Sequence, residues 1–546
     1  MLRPSTALAP SYAADGPAVR LLVLRTCRPA EWEQGLTAFQ SELLPSELTV
    51  VSAGPRPSAD ADARRATITV RGSRFGLRSL TAIDLLRASR RATHVGVPQM
   101  WSAPSAYVNV YSLALLLAPN ILLWSPQAGL VRHTRWSLLR VVLGHLWAHY
   151  FDVPRFLALA AAAVLWPRRR QPREDGPLRV LAVITSWGVG GAQRQLAELA
   201  RGLPPGRASL DIFVLARADG DFSSRHLAGH PVSIRYATDW TSLVHTVLEL
   251  RALCRREDYD VVHTWLFYAN VIGVTAARLA GTPRVLASVR NLSTWKRQWA
   301  TRWWFRTADA LSSWASDRVT VNAAPLVADH ARWAFVPRRR ITVVPNGLTA
   351  PDLVPGRDER AALRRRLGLS VDCPVLGTVG RLAEEKDHAT LLGAWKRVLR
   401  RHPGATLVIK GDGPLAARLR AQAATIDGRV IFDTDPADPL PFIAGLDVFV
   451  LPSRIEGFAN VLLEAALIGV PVVATDVGAA REIVGAAGDL VPVRDALRLA
   501  ERIEAVLSDL PTARTRAAAR CRRVRQDFTT DRMVENWLSL YHGAHA

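Results

Sequence analysis

The chain has 546 residues, 49% of them hydrophobic and 22% charged, which is the ordinary balance of a globular protein. That excludes a disordered chain, a collagen-like chain and a polytopic membrane protein, and the length suggests about three to four domain-sized units. Lys and Arg number 70 against 48 Asp and Glu, so the formal net charge is +22, favouring anionic partners such as phosphorylated small molecules, anionic lipid or nucleic acid.

Residues 1–17 read as a flexible leader with no apolar run of the kind a secretory signal carries. In 18–131 short apolar runs bounded by turn residues, VRLLVLR (19–25), TVVSAG (49–54), THVGVP (93–98) and NILLWSP (120–126), predict buried strands. Helical patterns such as 77–92 lie between them, so the segment predicts an α/β unit with a parallel sheet. Residues 132–173 differ. Arg132, Arg135 and Arg140 sit among Leu, Val and Trp across 132–151, FLALAAAAVLW (156–166) is wholly apolar, and PRRRQPR (167–173) follows. The apolar run is short of the roughly 20 residues that span a bilayer. The pattern predicts an interfacial or re-entrant anchor at an anionic membrane surface; the plainer alternative is a buried helix followed by a charged linker. Cys27, Cys254, Cys373 and Cys521 are far apart and form no metal-type spacing, so reduced thiols in a cytosolic compartment are expected.

From 178 onward the strand–helix alternation restarts. LRVLAVIT (178–185) precedes a Gly-rich turn and a helix over 186–203, and LDIFVLAR (210–217), DVVHTW (260–265), PRVLASVR (283–290), VTVNA (319–323) and ITVVPNG (341–347) are further strands. A second series follows: VLGTVGRL (375–382), ATLVIKGDG (405–413), GRVIFD (428–433), DVFVLPS (447–453) and PVVATD (471–476). Two doubly wound units side by side predict a ligand cleft at the carboxyl ends of their strands.

Two groups of residues carry chemistry. In LPSRIEGFANVLLEA (451–465), Glu456 lies in a turn after a strand, and Gly457, Phe458, Ala459 and Asn460 lead into a helix whose first N–H groups make an anion site. Glu464 sits inside that helix in the apolar context VLLEAALIGVPVV, where an unpaired carboxylate is costly; it suits sugar or ribose hydroxyls better than phosphate. In GRLAEEKDHATLL (380–392), Arg381 follows a strand and Lys386 opens a helix, and two cations there can bracket a diphosphate.

The ordered set of Gly-Gly loop, PNG linker, GRL…EK, GDGP, DVFVLPS and EGF…E resembles glycosyltransferase family four over 178–546. The resemblance implies a GT-B fold, two Rossmann-like lobes facing a cleft, preceded here by the extra N-terminal α/β unit and the basic and apolar helical segment. It implies an N-lobe on the acceptor side (178–345), a C-lobe on the donor side (346–527) and a crossover helix (528–546), with Asn346-Gly347 at the hinge. It implies a UDP- or GDP-sugar as donor substrate, no cofactor, retention at the anomeric carbon and a glycan or lipid-linked acceptor in cell-surface polysaccharide or glycolipid synthesis. Residue by residue, Arg381 and Lys386 would hold the donor diphosphate. Glu464 would hold the ribose, Glu456 would face the transferred sugar, and Gly457, Phe458, Ala459 and Asn460, with Gly190 and Gly191 of the first loop, would complete the donor site. His263 stands at a position linked to catalysis, but Trp265 replaces the family's second histidine, which favours a strand-end structural role. Arg290, Asn291, Trp295 and Lys296 would lie on the acceptor side.

The DxD spacings Asp60/Asp62, Asp219/Asp221 and Asp433/Asp435 occur at chance frequency, and with Arg381 and Lys386 at hand metal independence is expected. Rival readings are a decayed GT-B scaffold or glycan-binding protein, and an NADP-linked oxidoreductase resting on Gly188, Gly190 and Arg217. The latter lacks the third glycine, because Gln193 stands there. Nucleic acid is not expected as a partner, since basic residues are not interleaved with aromatic motifs. The resulting placement is cytoplasmic and peripheral to the membrane's cytosolic face.

Overall fold

The structure, a computed structural model, describes residues 129–147, 151–167 and 176–543 apart from 189, 218–225, 228, 239–241, 295–303, 352–355, 436–437 and 486–488, and before them Ala114 and the strands of one sheet. The chain divides into two units, Met1–Asp152 and Val153–Ala546.

The first unit holds a six-stranded sheet of β1 (Arg20–Arg25), β2 (Glu47–Ala53), β3 (Arg65–Val70), β4 (His94–Pro98), β5 (Asn120–Ser125) and β6 (Gly129–Thr134), in the order β3-β2-β1-β4-β5-β6. All pairs are parallel except β5 with β6. Two of these strands are not apparent from apolar runs. β3 alternates Arg65, Thr67 and Thr69 with Ala66, Ile68 and Val70, as suits an edge strand. β6 occupies the start of the segment predicted as a helix over 132–151; the helix itself is Arg135–Trp147. Thr134 and Ser137 divide the two, each side chain accepting the other's backbone N–H at 3.2 and 3.0 Å, a reciprocal cap that stops the strand and opens the helix. The predicted helix over 77–92 lies outside the described residues.

The second unit begins with the helix Val153–Leu165. It buries Val153, Phe156, Ala160 and Ala163, spaced three and four apart, against the helices Phe267–Ala280 and Trp304–Ala315, with Phe156 edge-on to Trp304 at 6.4 Å. One face of the apolar run 156–166 is therefore packed in this unit, as the plainer alternative of a buried helix has it, while Leu165 is exposed. Among the described residues no helix is long and apolar enough to cross a membrane.

The N-lobe sheet has seven strands, β7 (Leu178–Ser186), β8 (Ala208–Ala216), β9 (Ile234–Tyr236), β10 (Val261–Trp265), β11 (Arg284–Val289), β12 (Arg318–Val321) and β13 (Ile341–Val343), in the order β13-β12-β11-β10-β7-β8-β9. The C-lobe sheet has six, β14 (Val375–Val379), β15 (Thr406–Lys410), β16 (Arg429–Asp433), β17 (Val448–Leu451), β18 (Val472–Thr475) and β19 (Leu490–Val491), in the order β16-β15-β14-β17-β18-β19. Both are wholly parallel and both reverse direction beside their first strand, between β7 and β10 and between β14 and β17. Such a switch point leaves a crevice at the carboxyl ends of the two central strands. The sheet of the first unit follows the same order.

The last helix, Thr530–Tyr541, follows the C-lobe in sequence but packs Met533, Val534, Trp537, Leu538 and Tyr541 into the N-lobe core. The chain crosses at Asn346-Gly347, where a Cβ on Gly347 would lie 2.3 Å from the Thr529 carbonyl oxygen, so no larger residue fits this crossing. A continuous apolar cluster including Val289, Val321, Phe458, Leu462 and Phe528 joins the lobes on one side of the cleft.

Candidate functional site

Four segments meet in the cleft, each leaving a central strand at its carboxyl end. After β14, Gly380 to Lys386 forms a loop that closes in a 3-10 turn, Glu384–Lys386. The loop after β15 lies under it, with Leu382 N donating to Asp412 O and Leu415 N to Leu382 O, both at 2.9 Å. After β17, residues 452–459 turn into the helix Asn460–Ile468, and Arg454 N donates to Glu385 O at 2.8 Å, tying this loop to the first. From the N-lobe, the turn after β7 opens the helix Gly191–Gly202.

Lys386 and Glu456 meet here. Lys386 Nζ lies 2.6 Å from Glu456 Oε1, and Ser453 Oγ donates to the same oxygen at 2.7 Å. An ammonium has three N–H donors, so the pair leaves Lys386 with donors for a further acceptor. Arg381, at the start of the same loop, is exposed. Directly after Lys386, His388 is buried, its Nδ1 has no partner, and burial together with the Lys386 charge lowers its pKa to about 4.

Glu464 is buried and its two oxygens differ. Arg194 of the N-lobe pairs with Oε1, whereas Oε2 has no hydrogen-bond partner. Burial raises the carboxyl pKa, and Arg194 opposes that shift. Asn460, at the start of the same helix, accepts from Asn346 Nδ2 at 2.7 Å through Oδ1 and donates through Nδ2 to Gly191 O at 3.2 Å. Arg290 Nη1 extends the line by donating to Asn346 Oδ1 at 2.8 Å. Gly457 is forced by proximity: a Cβ there would lie 2.1 Å from the Arg290 carbonyl oxygen. Gly190 caps the helix Gly191–Gly202 in an extended conformation. Phe458 and Ala459 turn their side chains into the core, Phe458 edge-on to Phe528 at 5.8 Å, so only their backbones face the cleft.

On the N-lobe wall, Arg290 is stacked on Trp265 at 3.9 Å and near Trp537 at 5.7 Å, and burial brings its pKa down to about 9. Its Nε and Nη2 have no partner, nor has Asn322 Oδ1 near Gly457. Leaving a buried polar atom unpaired costs about 1–3 kcal/mol, so three such residues along one seam, Arg290, Asn322 and Glu464, mark a place suited to a polar guest.

His263 has no catalytic place in this arrangement. It is fully buried, with Nδ1 2.8 Å from Tyr541 Oη and Nε2 2.8 Å from Ser288 Oγ, and its ring packs on Trp265 and Trp537. Burial and the Arg290 charge hold it neutral, well below its ordinary pKa. Nδ1 thus ties β10 to the last helix and Nε2 ties it to β11, an arrangement that fits a structural strand-end histidine. Asn291 is exposed at the end of β11, while Trp295 and Lys296 lie outside the described residues. So do Asp60, Asp62, Asp219 and Asp221; Asp433 is held by Lys410 and Arg366, and Asp435 by Arg366.

Sequence reasoning missed the polar face of the helix Gly191–Gly202. Arg194 reaches Glu464, Gln195 and Gly347 exchange hydrogen bonds of 3.0 and 3.1 Å, and Glu198 accepts from Thr349 and Thr530. Gln195 and Glu198 are both buried. Polar residues three and four apart in QRQLAE were the available signal, but the same pattern describes a solvated face.

Residues 189–350 match the family model described as Glycosyltransferase Family 4, and 373–509 match that of Glycosyl transferases group 1. The chain is 32% identical over 435 residues to a D-inositol 3-phosphate glycosyltransferase of Acidothermus cellulolyticus, covering 72% of this chain and 94% of the relative. The chain belongs to glycosyltransferase family four. This family-four enzyme, which moves a sugar from an activated donor to an acceptor, is also 30% identical over 365 residues to a GDP-mannose-dependent alpha-(1-6)-phosphatidylinositol monomannoside mannosyltransferase of Mycobacterium tuberculosis, covering 62% of this chain and 92% of that one. In fold, the glycosyltransferase is similar to Anabaena Alr3699/HepE in complex with UDP and glucose, with a TM-score of 0.58, 21% identity and coverage of 67% of this chain and all of the other. Its second unit is thus a GT-B pair of lobes, and the sheet of its first unit stands outside both matched segments.

Proposed function

We propose that this glycosyltransferase takes a UDP- or GDP-sugar and transfers the sugar, with retention, to a glycan or lipid-linked acceptor in cell-surface polysaccharide or glycolipid synthesis. The observation that carries the reading is the Lys386–Glu456 pair at one switch point, with Glu464 Oε2 buried and unpartnered in the first turns of the helix that follows. A diphosphate leaving group gains negative charge as the sugar bond breaks, so donors aimed at it lower the barrier. Lys386 holds Glu456 with one N–H and offers the others to the phosphates; Arg381 and the first N–H groups of the helix Asn460–Ile468 add to them. Glu456, fixed by Lys386 and Ser453, accepts from a hydroxyl of the transferred sugar. Glu464 Oε2 accepts from the ribose while Arg194 opposes the burial that raises the carboxyl pKa and ties the lobes together over the donor. Closed lobes keep water from the donor. Arg290 and Asn291, with Trp295 and Lys296, contact the acceptor. The diphosphate is neutralised by these cations without a metal ion. The two carboxylates of the proposed donor site, Glu456 and Glu464, are each paired with a cation, which supports attack on the face from which the diphosphate departs rather than by a carboxylate nucleophile. The net charge of +22 supports a cytoplasmic enzyme held at the anionic face of a membrane without spanning it.

A thermal-shift series with UDP-, GDP- and ADP-sugars tests the donor, because a ligand that binds the native state raises the Tm. One nucleotide series should raise it and the same series should have no effect on Lys386→Ala. An equal rise in that variant would remove Lys386 from the donor site.

A further inference from the structure

The segment Phe335–Arg340 and the helix it crosses form a basic aromatic strip. We infer that this strip docks the enzyme on an anionic lipid bilayer, an inference that rests on the membrane reading above and gives it a surface. Phe335 is 64% exposed and Trp314 42% exposed, two of the few large apolar side chains of the second unit that face solvent. Phe335 carries Arg306 over its ring at 4.1 Å, and Trp314 carries Arg340 at 5.2 Å. The same arginines are pinned at helix ends, Arg306 Nε donating to Trp333 O at 2.9 Å and Arg340 Nη2 to Trp314 O at 3.1 Å. Between these two anchors Arg338 and Arg339 project from a 3-10 turn into solvent.

The charge of the strip is one-sided. Residues 304–343 hold six arginines, three aspartates and no glutamate, and each aspartate is turned inward. Asp309 accepts from Trp333 Nε1, Asp317 pairs with Arg278, and Asp329 accepts from Ser293. The exposed Arg338 and Arg339 thus add positive charge to the outer face of this segment.

Phe335 is also a costly choice of residue. It caps the helix Ala324–Ala334 at φ 54, a left-handed position that Gly or Asn fills with less strain. Beyond its contact with Arg306, a ring that is 64% exposed adds little to the fold, and a bilayer interface is where such a ring is repaid by burial. Aromatic rings beside arginines at a polybasic turn match the two forces that act at a lipid surface, apolar insertion and attraction to anionic headgroups. Single-stranded nucleic acid fits less well, since stacking of successive bases uses ring faces and an arginine already lies over one face of each of these two rings.

Flotation of the full chain with phosphatidylcholine vesicles, with and without phosphatidylglycerol, tests the inference. The wild type should float with the anionic vesicles only and be released by salt. The double variant Arg338→Glu/Arg339→Glu should lose at least about 30-fold in binding, at about fivefold for each arginine removed from the surface. Phe335→Asn, which suits the left-handed backbone, should weaken binding without lowering the Tm. Both variants should keep wild-type affinity for the nucleotide sugar, which shows that the lobes are intact. If the wild type floats and the double variant floats equally, or if Arg135→Glu/Arg140→Glu abolishes flotation instead, the strip is not the docking surface although the membrane reading stands. If the wild type floats with neither vesicle, both fail. If a DNA oligonucleotide displaces the protein from vesicles and binds it with the same dependence on Arg338 and Arg339, the surface belongs to nucleic acid and the inference falls.

Discussion

The two walls of the cleft are built on the same strand order and do different work. On the C-lobe wall, charged groups meet in pairs that keep spare capacity: Lys386 on Glu456, and Glu464 with one oxygen bound and one bare. On the N-lobe wall, His263 is held between Tyr541 and Ser288 with no capacity left, while Arg290, stacked on Trp265, keeps Nε and Nη2 bare. A parallel sheet provides the crevice; the residues just past each strand decide whether that crevice binds or braces.

The sharpest way to break this comparison is Lys386→Ala. Loss of a cation facing a departing diphosphate should lower kcat/KM by about 10²- to 10³-fold in a donor-turnover assay, and it frees the Glu456 charge besides. A loss below tenfold would mean that the C-lobe wall braces as well.

The next largest effect is on stability. His388 sits behind Lys386 with its folded pKa lowered to about 4 from an ordinary 6.5. Between those values the unfolded chain binds more protons than the native one, so stability rises with pH through the window and is lost on acidification. Up to about 3 kcal/mol is at stake, and Tm measured from pH 7 down to pH 4 should fall less steeply for His388→Gln.

Glu464→Gln keeps the shape and removes the charge. Nucleotide affinity by calorimetry should fall about 10- to 100-fold, as for loss of a charged hydrogen-bond acceptor. Arg194→Met sharpens the point. Without Arg194 nothing opposes the burial that raises the Glu464 pKa, so the carboxylate should take up a proton at higher pH, and nucleotide binding should weaken on acidification sooner than in the wild type. A pH profile parallel to the wild type would show that Arg194 merely packs.

The smallest expected change in activity comes from the N-lobe wall. His263→Gln should leave kcat within about threefold while lowering stability by about 1–3 kcal/mol through the bonds to Tyr541 and Ser288. A collapse of kcat with unchanged Tm would return His263 to catalysis.

Motif spacing in the C-lobe was legible because the chemistry is local: Arg381, Lys386, Glu456 and Glu464 each stand at a fixed offset from an apolar strand, and that offset alone sets them at the mouth of the sheet. The N-lobe contribution was not. Arg194 meets Glu464 across 270 residues of sequence, and the polar line from Arg290 through Asn346 and Asn460 to Gly191 joins four segments. The apolar run 156–166 was ambiguous for the same reason, since a bilayer and a helical neighbour such as Trp304–Ala315 make the same demand on an alanine-rich face.

Short-range patterning, in which residues a few positions apart share a strand end or a helix turn, determined the family, the parallel sheets and the cations and carboxylates of the C-lobe wall. Only the tertiary structure decided which of those groups face each other, which carboxylate oxygen stays bare, and that a histidine at a strand end serves as a brace. Those facts depend on contacts between segments far apart in the chain, and no residue spacing encodes them.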